Sequence, residues 1–153
     1  MEHTATIEWS RGDAAFVDQK YRRAHHWRFD GGAVVAGSSS PHVVPEPQSD
    51  ATAVDPEEAF VAALASCHML WFLSIAAKRG FVVDAYADDA TGTMARVAKG
   101  RLGITEVVLR PRVRFHGAAP DAATHEAMHH EAHEACFIAN SVKSDVRVVP
   151  TLA

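Results

Sequence analysis

The chain has 153 residues and a formal charge of −4, from 15 basic and 19 acidic side chains with the ten histidines neutral. That length suits one domain, residues 1–153, able to bury about two-thirds of the surface its unfolded form exposes. The charge balance leaves no polybasic footprint, which argues against nucleic acid or an anionic membrane surface as a partner.

The N-terminus, Met1-Glu2-His3-Thr4, lacks a basic segment followed by an apolar run, so no signal peptide is expected and a cytoplasmic location is the default. Thr4 to Trp9 alternates like a strand, as does His25 to Phe29; Asp30-Gly31-Gly32 then supplies a turn into a third strand from Ala33 to Ser38. Residues 38–55, with Pro41, Pro45 and Pro47, have the composition of a surface loop.

Asp55-Pro56-Glu57-Glu58 is a helix start: Asp caps, Pro suits the first helical position, and the glutamates complement the positive end of the macrodipole. The helix is expected to run to Arg79 and to end at Gly80. From Ala59 to Ala77 it carries no Asp, Glu, Lys or Arg. The run is rich in alanine and interrupted by Ser66, His68 and Ser74, so a buried helix of a soluble core is preferred to a membrane span. A domain this small cannot wrap such a helix alone, and a homodimer covering its second face is expected.

Phe81 to Met94 and Ile104 to Phe115 are read as two strands, with Arg110, Arg112 and Arg114 on a solvent-exposed face. A second helix is expected over Pro120 to Ile138, and a last strand over Asp145 to Val149. This element order makes the class α+β with antiparallel sheets.

Three groups of residues bear on chemistry. His125-Glu126-Ala127-Met128-His129 fits the H-E-x-x-H template of zinc peptidases, with two imidazoles at helical i and i+4. No third ligand or downstream continuation accompanies it, so a solvated, pH-titrating helix face is preferred and no metal site is assigned. The second group is the pair of cysteines, Cys67 within the apolar helix and Cys136 on the second helix. Without an export signal they are not expected to form a permanent staple, which leaves either buried small hydrophobes or transient thiol redox chemistry. For a nucleophilic Cys67 the thiolate must be stabilised, and Cys67 lies about three turns from the helix N-terminus, too far for the dipole. The third group supplies cations: Tyr21-Arg22-Arg23-Ala24-His25-His26-Trp27-Arg28, from which a guanidinium could be held by a carboxylate such as Glu57. Read alone, the arginines are surface charges and Glu57 a partner of the helix dipole.

Asp55-Pro56-Glu57-Glu58, then Ala62-Ala63-Leu64-Ala65-Ser66-Cys67, then a second helix bearing Cys136, resemble the OsmC and organic hydroperoxide resistance (Ohr) family. Tyr21 to His25 ahead of Trp27-Arg28-Phe29-Asp30-Gly31-Gly32 is a third matching segment. The resemblance implies an OsmC-like fold with two long central helices, an intertwined homodimer and two active sites at its interface. It also implies a two-cysteine peroxidase that reduces organic hydroperoxides, without cofactor or metal, and is recycled by an external dithiol reductant. Carried over, Cys67 is the peroxidatic thiol and Cys136 the resolving thiol. Arg23 is the cation that stabilises the thiolate, with Arg22 as runner-up, and Glu57 holds that arginine. Phe60, Leu64, Trp71 and Phe137 are candidates to accept the organic group, although core packing explains each equally well. His68-Met69 after Cys67 and Phe137 after Cys136 depart from the pattern of better-known members. The rival expectation is a non-catalytic dimeric protein that binds an apolar ligand or senses oxidants at the same interface.

Overall fold

Three strands open the chain in an antiparallel meander, β1 (Ala5–Glu8), β2 (His25–Phe29) and β3 (Val34–Gly37), in the order β1-β2-β3. The computed structural model describes residues 1–152, and the chain divides into two units, Met1–Ala59 and Phe60–Ala153. In the first unit the turn after β2 is closed by Gly32 N–H donating to Phe29 O at 3.0 Å, with Gly32 at φ 86°, a conformation that favours glycine. Val54 returns to the edge of this sheet and bridges Gly37, its N–H donating to Ala36 O at 2.9 Å. The next residue, Asp55, is thereby delivered to the start of helix α1 (Pro56–Lys78).

That start is a reciprocal capping box. Glu58 N–H donates to Asp55 Oδ1 at 2.7 Å and Asp55 N–H donates to Glu58 Oε2 at 3.2 Å, so two orphan donors are satisfied together. Further along, α1 buries one face only, through Leu64, His68, Phe72, Ile75 and Ala76. Ala62, Ala63, Ser66 and Leu70 are exposed. By length and composition α1 could cross a membrane, with mean hydropathy 1.9 and only 28% of that stretch buried within the chain. An uncovered apolar face of this kind is characteristic of an interaction surface.

The second unit places α1 against two three-stranded sheets. Strands β4 (Val82–Asp88), β7 (Pro111–His116) and β9 (Thr151–Leu152) form one, in the order β4-β7-β9; β5 (Thr91–Ala98), β6 (Arg101–Leu109) and β8 (Asp145–Val148) form the other, in the order β5-β6-β8. Each β-patterned stretch expected near 81–94 and 104–115 therefore resolves into two strands that belong to different sheets. Two features mark the break before β7: Pro111 has no N–H, and Arg110 N–H donates to the distant Asp88 carboxylate at 2.6 Å. Nor are the sheets wholly antiparallel. β8 pairs in parallel with β6, and β9 in parallel with β7, so both sheets are mixed.

Helix α2 (Ala122–Ala135) is shorter than the sequence suggests. Asp121 caps it, accepting from Thr124 N–H at 2.7 Å, and the chain leaves it at Cys136, whose φ −66° and ψ 110° are extended. A 3₁₀ turn, Ala139–Ser141, follows. Two apolar clusters result. Phe72, Ile75, Ala76, Val113, Met128 and Ala132 form one; Leu64, Val107 and Leu109 form the other. Arg112 and Arg114 lie on the exposed face of β7, paired with Asp89 and Asp84. Such exposed pairs contribute little stability.

Candidate functional site

The segment entering β2 is extended, and extended chain alternates its side chains. Tyr21, Arg23, His25 and Trp27 turn inward and are half-buried, whereas Arg22, Ala24, His26 and Arg28 are exposed. Tyr21, Arg23 and His25 of this set, with Trp9, Phe16, Ser38, Ser39 and Pro56, enclose a cavity of about 470 Å³ in the first unit. Its wall is aromatic. Phe16 stacks on Tyr21 at a centroid distance of 4.6 Å, and Trp9 meets Tyr21 edge-on at 5.4 Å. Trp9 Nε1–H donates to Arg22 O at 2.8 Å, which fastens this wall to the same segment.

Arg23 is the cation of this cavity. Its guanidinium carbon sits 3.7 Å from the centroid of the Tyr21 ring, a cation–π contact. Nη1 donates to Gln19 O at 2.9 Å and also to Tyr21 O. Gln19 holds φ 64°, a left-handed conformation for a non-glycine residue. Glu57 is half-buried, and among the described residues no ion pair joins it to Arg23. The alternation distinguishes Arg23 from Arg22, which faces solvent near Asp50.

Both thiols belong to the second unit and both are free. Cys67 is half-buried on α1; Cys136 is 1% exposed at the C-terminus of α2. Cys136 N–H donates to His133 O at 3.2 Å, and Ala139 N–H donates to Cys136 Sγ at 3.4 Å. Burial first, then the hydrogen bond and charge of the neighbouring Cys67 side chain, push the Cys136 thiol up to about 11, against the Ala139 and Ile138 N–H groups. Cys136 is therefore a protonated thiol at neutral pH with the Cys67 side chain as its neighbour.

The apolar candidates part company. Leu64 is fully buried with Val107 and Leu109, so its role is corrected to core packing. Phe60 packs against the same cluster while half-buried. Trp71 is half-buried and meets Phe137 edge-on at 5.4 Å, with Phe137 69% exposed.

The histidines of the H-E-x-x-H pattern are not a solvated face. His125 and His129 are 3% and 2% exposed, on the same buried stripe as Met128 and Ala132. His68 Nε2 lies 3.0 Å from His129 Nδ1, and His129 Nε2 lies 3.3 Å from His125 Nε2, forming a chain of three buried imidazoles. Burial holds His68 down at about 4 and His129 at about 3, and lowers His125 as well, so all three are neutral at neutral pH. Both His129 nitrogens are used within this chain. Among the described residues no group of three or more His, Cys, Asp or Glu side chains is gathered to hold a metal.

Sequence reasoning missed this chain and the aromatic wall of Trp9, Phe16 and Tyr21. The signal for the first was present: His125, Met128, His129 and Ala132 fall at i, i+3, i+4 and i+7, the period of a buried helical stripe. For the second, the wall comes from irregular chain without a pattern to read.

Residues 49–150 match the family described as OsmC-like protein. An OsmC-like protein of unknown function from Vibrio cholerae is 54% identical, with a TM-score of 0.95 over 99% of this chain and 99% of that one. An organic hydroperoxide resistance protein from Elizabethkingia anophelis shares the fold at 16% identity and a TM-score of 0.71, over 100% of this chain and 96% of that one. The organic hydroperoxide resistance protein OhrB of Bacillus subtilis does so at 19% identity and a TM-score of 0.69, over 100% of this chain and 98% of that one. No curated protein matches. With two-thirds of its length matching the family and a fold shared from end to end with solved relatives, the chain belongs to the OsmC family.

Proposed function

We propose that this protein is a cytoplasmic, homodimeric, thiol-dependent peroxidase that reduces organic hydroperoxides to alcohols. The observation that carries this reading is that the only two thiols are neighbours, the Cys67 side chain lying beside a buried, protonated Cys136. In the cycle, the Cys67 thiolate attacks the terminal peroxide oxygen; the O–O bond breaks, the alkoxide takes a proton and leaves as alcohol, and Cys67 becomes a sulfenic acid. Cys136 then attacks that sulfur, forming the Cys67–Cys136 disulfide and releasing water. An external dithiol returns both thiols. Electrons pass from dithiol to peroxide through sulfur alone, so the cycle uses no metal or cofactor, and neither nucleic acid nor membrane enters it.

Arg23 is assigned to stabilise the thiolate and the negative charge that develops on the leaving oxygen. Its half-buried place in an aromatic cavity supports it over the exposed Arg22. Glu57 is assigned to hold that arginine in the reactive conformation. The organic group is assigned to apolar surface, for which the Trp9, Phe16 and Tyr21 wall is a candidate in the first unit and Phe60, Trp71 and Phe137 are candidates in the second. The uncovered alanine-rich face of α1, around Ala62 and Ala63, supports a second copy packing there.

The test is steady-state reduction of cumene and tert-butyl hydroperoxide with a dithiol, for the native protein and for Cys67→Ser and Cys136→Ser. Multiple turnovers that disappear in Cys67→Ser establish the activity. Turnover that persists in Cys67→Ser, or none with any dithiol, overturns it and leaves a binding or oxidant-sensing protein.

A further inference from the structure

We infer that His25 is a positioning residue for Arg23, fixed as one neutral tautomer by Trp27 in a space that exists because residue 37 is glycine. The inference rests on the reading of Arg23 given above, and it adds three residues that no part of that reading uses.

The hydrogen bonds set the protonation state without further assumption. An indole N–H can only donate, and Trp27 Nε1 lies 2.7 Å from His25 Nε2. Nε2 must then carry no proton, so the ring's single proton is on Nδ1. His25 Nδ1 in turn lies 2.7 Å from Arg23 O, and a carbonyl can only accept, so Nδ1–H donates to it. Each bond requires the other's tautomer. A Trp27 partner without a donor would let the ring turn over.

The result is an Arg23 main chain pinned at both polar atoms, with its N–H donating to Gln48 O at 2.7 Å and its carbonyl accepting from His25. The side chain that leaves this fixed point is steadied by Tyr21 below and Gln19 O beside it. Among the described residues only Nη1 of the guanidinium is spent on protein acceptors. Nε and Nη2 remain as donors for a ligand, in the cavity that His25 also lines. The preorganised geometry costs nothing at the moment of reaction, which is the condition for such a cation to accelerate chemistry.

Gly37 supplies the space. It stands opposite His25 in the β2–β3 register, and a Cβ there would lie 2.6 Å from His25 Nε2 and 2.6 Å from Trp27 Nε1. That atom would occupy the bond itself. Gly37 has no left-handed backbone to justify a glycine, so the reason is room for these two rings.

Two measurements test this. The first is independent of activity: long-range ¹⁵N–¹H NMR of ¹⁵N-histidine protein at pH 7.5, with His25 assigned from the His25→Asn variant. A ring protonated at Nδ1 alone is expected, and its loss in Gly37→Ala; an Nε2–H tautomer overturns the inference. The second is the rate constant for cumene hydroperoxide at limiting peroxide in Arg23→Ala, His25→Phe, His25→Asn and Trp27→Phe. Arg23→Ala and His25→Phe are expected to be slower by at least about tenfold. His25→Asn, whose amide can still donate to Arg23 O, should recover most of that loss while His25→Phe does not. If Arg23→Ala is slow and His25→Phe is not, the positioning role fails and the reading of Arg23 stands. If Arg23→Ala is as fast as native, the reading of Arg23 itself fails and this inference falls with it.

Discussion

His68 on α1 and His129 on α2 are joined ring to ring in the core, His68 Nε2 and His129 Nδ1 being 3.0 Å apart with the two planes only 5° from parallel. His129 also stacks on Phe72 at 4.1 Å. The helix that bears Cys67 is thus tied to the helix that ends at Cys136 by a polar contact one residue from the first thiol. Packing alone leaves helices free to slide by a fraction of a turn; a buried hydrogen bond does not, because breaking it strands two desolvated nitrogens.

The protein should lose stability on mild acidification through these histidines. His68 and His129 have folded-state values of about 4 and about 3, below the unfolded value near 6.5, so the unfolded chain binds more protons between these limits. Stability is therefore fully present above pH 6.5 and is lost as pH falls toward 4. From His68 alone the loss between pH 7 and pH 5 is on the order of 2 kcal/mol. Urea unfolding at the two pH values measures it, and His68→Gln should flatten the difference; an equal stability at both would refute the assignment.

Leu64→Ala separates packing from substrate contact. Leu64 is 0% exposed between Val107 and Leu109, and its truncation should cost about 2–5 kcal/mol of stability. KM for bulky hydroperoxides should stay within twofold of native below the melting range. A selective rise in KM without loss of stability would return Leu64 to the substrate site.

Cys136 should resist alkylation in the native state. With its thiol at about 11 rather than 9, the thiolate fraction at pH 8 falls by roughly a hundredfold before its 1% exposure is considered. Mass spectrometry of partly alkylated protein should show Cys136 unmodified until urea is added. Rapid native labelling of Cys136 would contradict the burial described above.

The aromatic wall should read the size of the organic group. Phe16→Ala removes the ring stacked on Tyr21 and should raise KM for cumene hydroperoxide several-fold more than for tert-butyl hydroperoxide. Equal effects on both would take the cavity of Trp9, Phe16 and Tyr21 out of substrate binding.

Much of the fold is legible where local chemistry decides structure. The strand His25–Phe29 and the Asp55-Pro56-Glu57-Glu58 start are both found where the residues put them, since alternation and capping act within a few positions. The division of 81–94 and 104–115 between two sheets was not, because it depends on Asp88 reaching Arg110, 22 residues away. The parallel pairing of β8 and β9 is also a long-range choice. At the candidate site, Cys67, Cys136 and Arg23 are proposed from residue type and resemblance. The burial of His125 and His129 is not legible in the sequence, because imidazole is ordinarily a polar surface group; hydrogen-bonded to one another and neutral, these rings pack like aromatic ones.

The two short strands at 145–148 and 151–152 complete one sheet each, β8 beside β6 and β9 beside β7. In chain order they follow both helices and every other strand. Until they are made, both sheets of the second unit lack an edge strand, and the apolar helix carrying Cys67 waits beside incomplete partners.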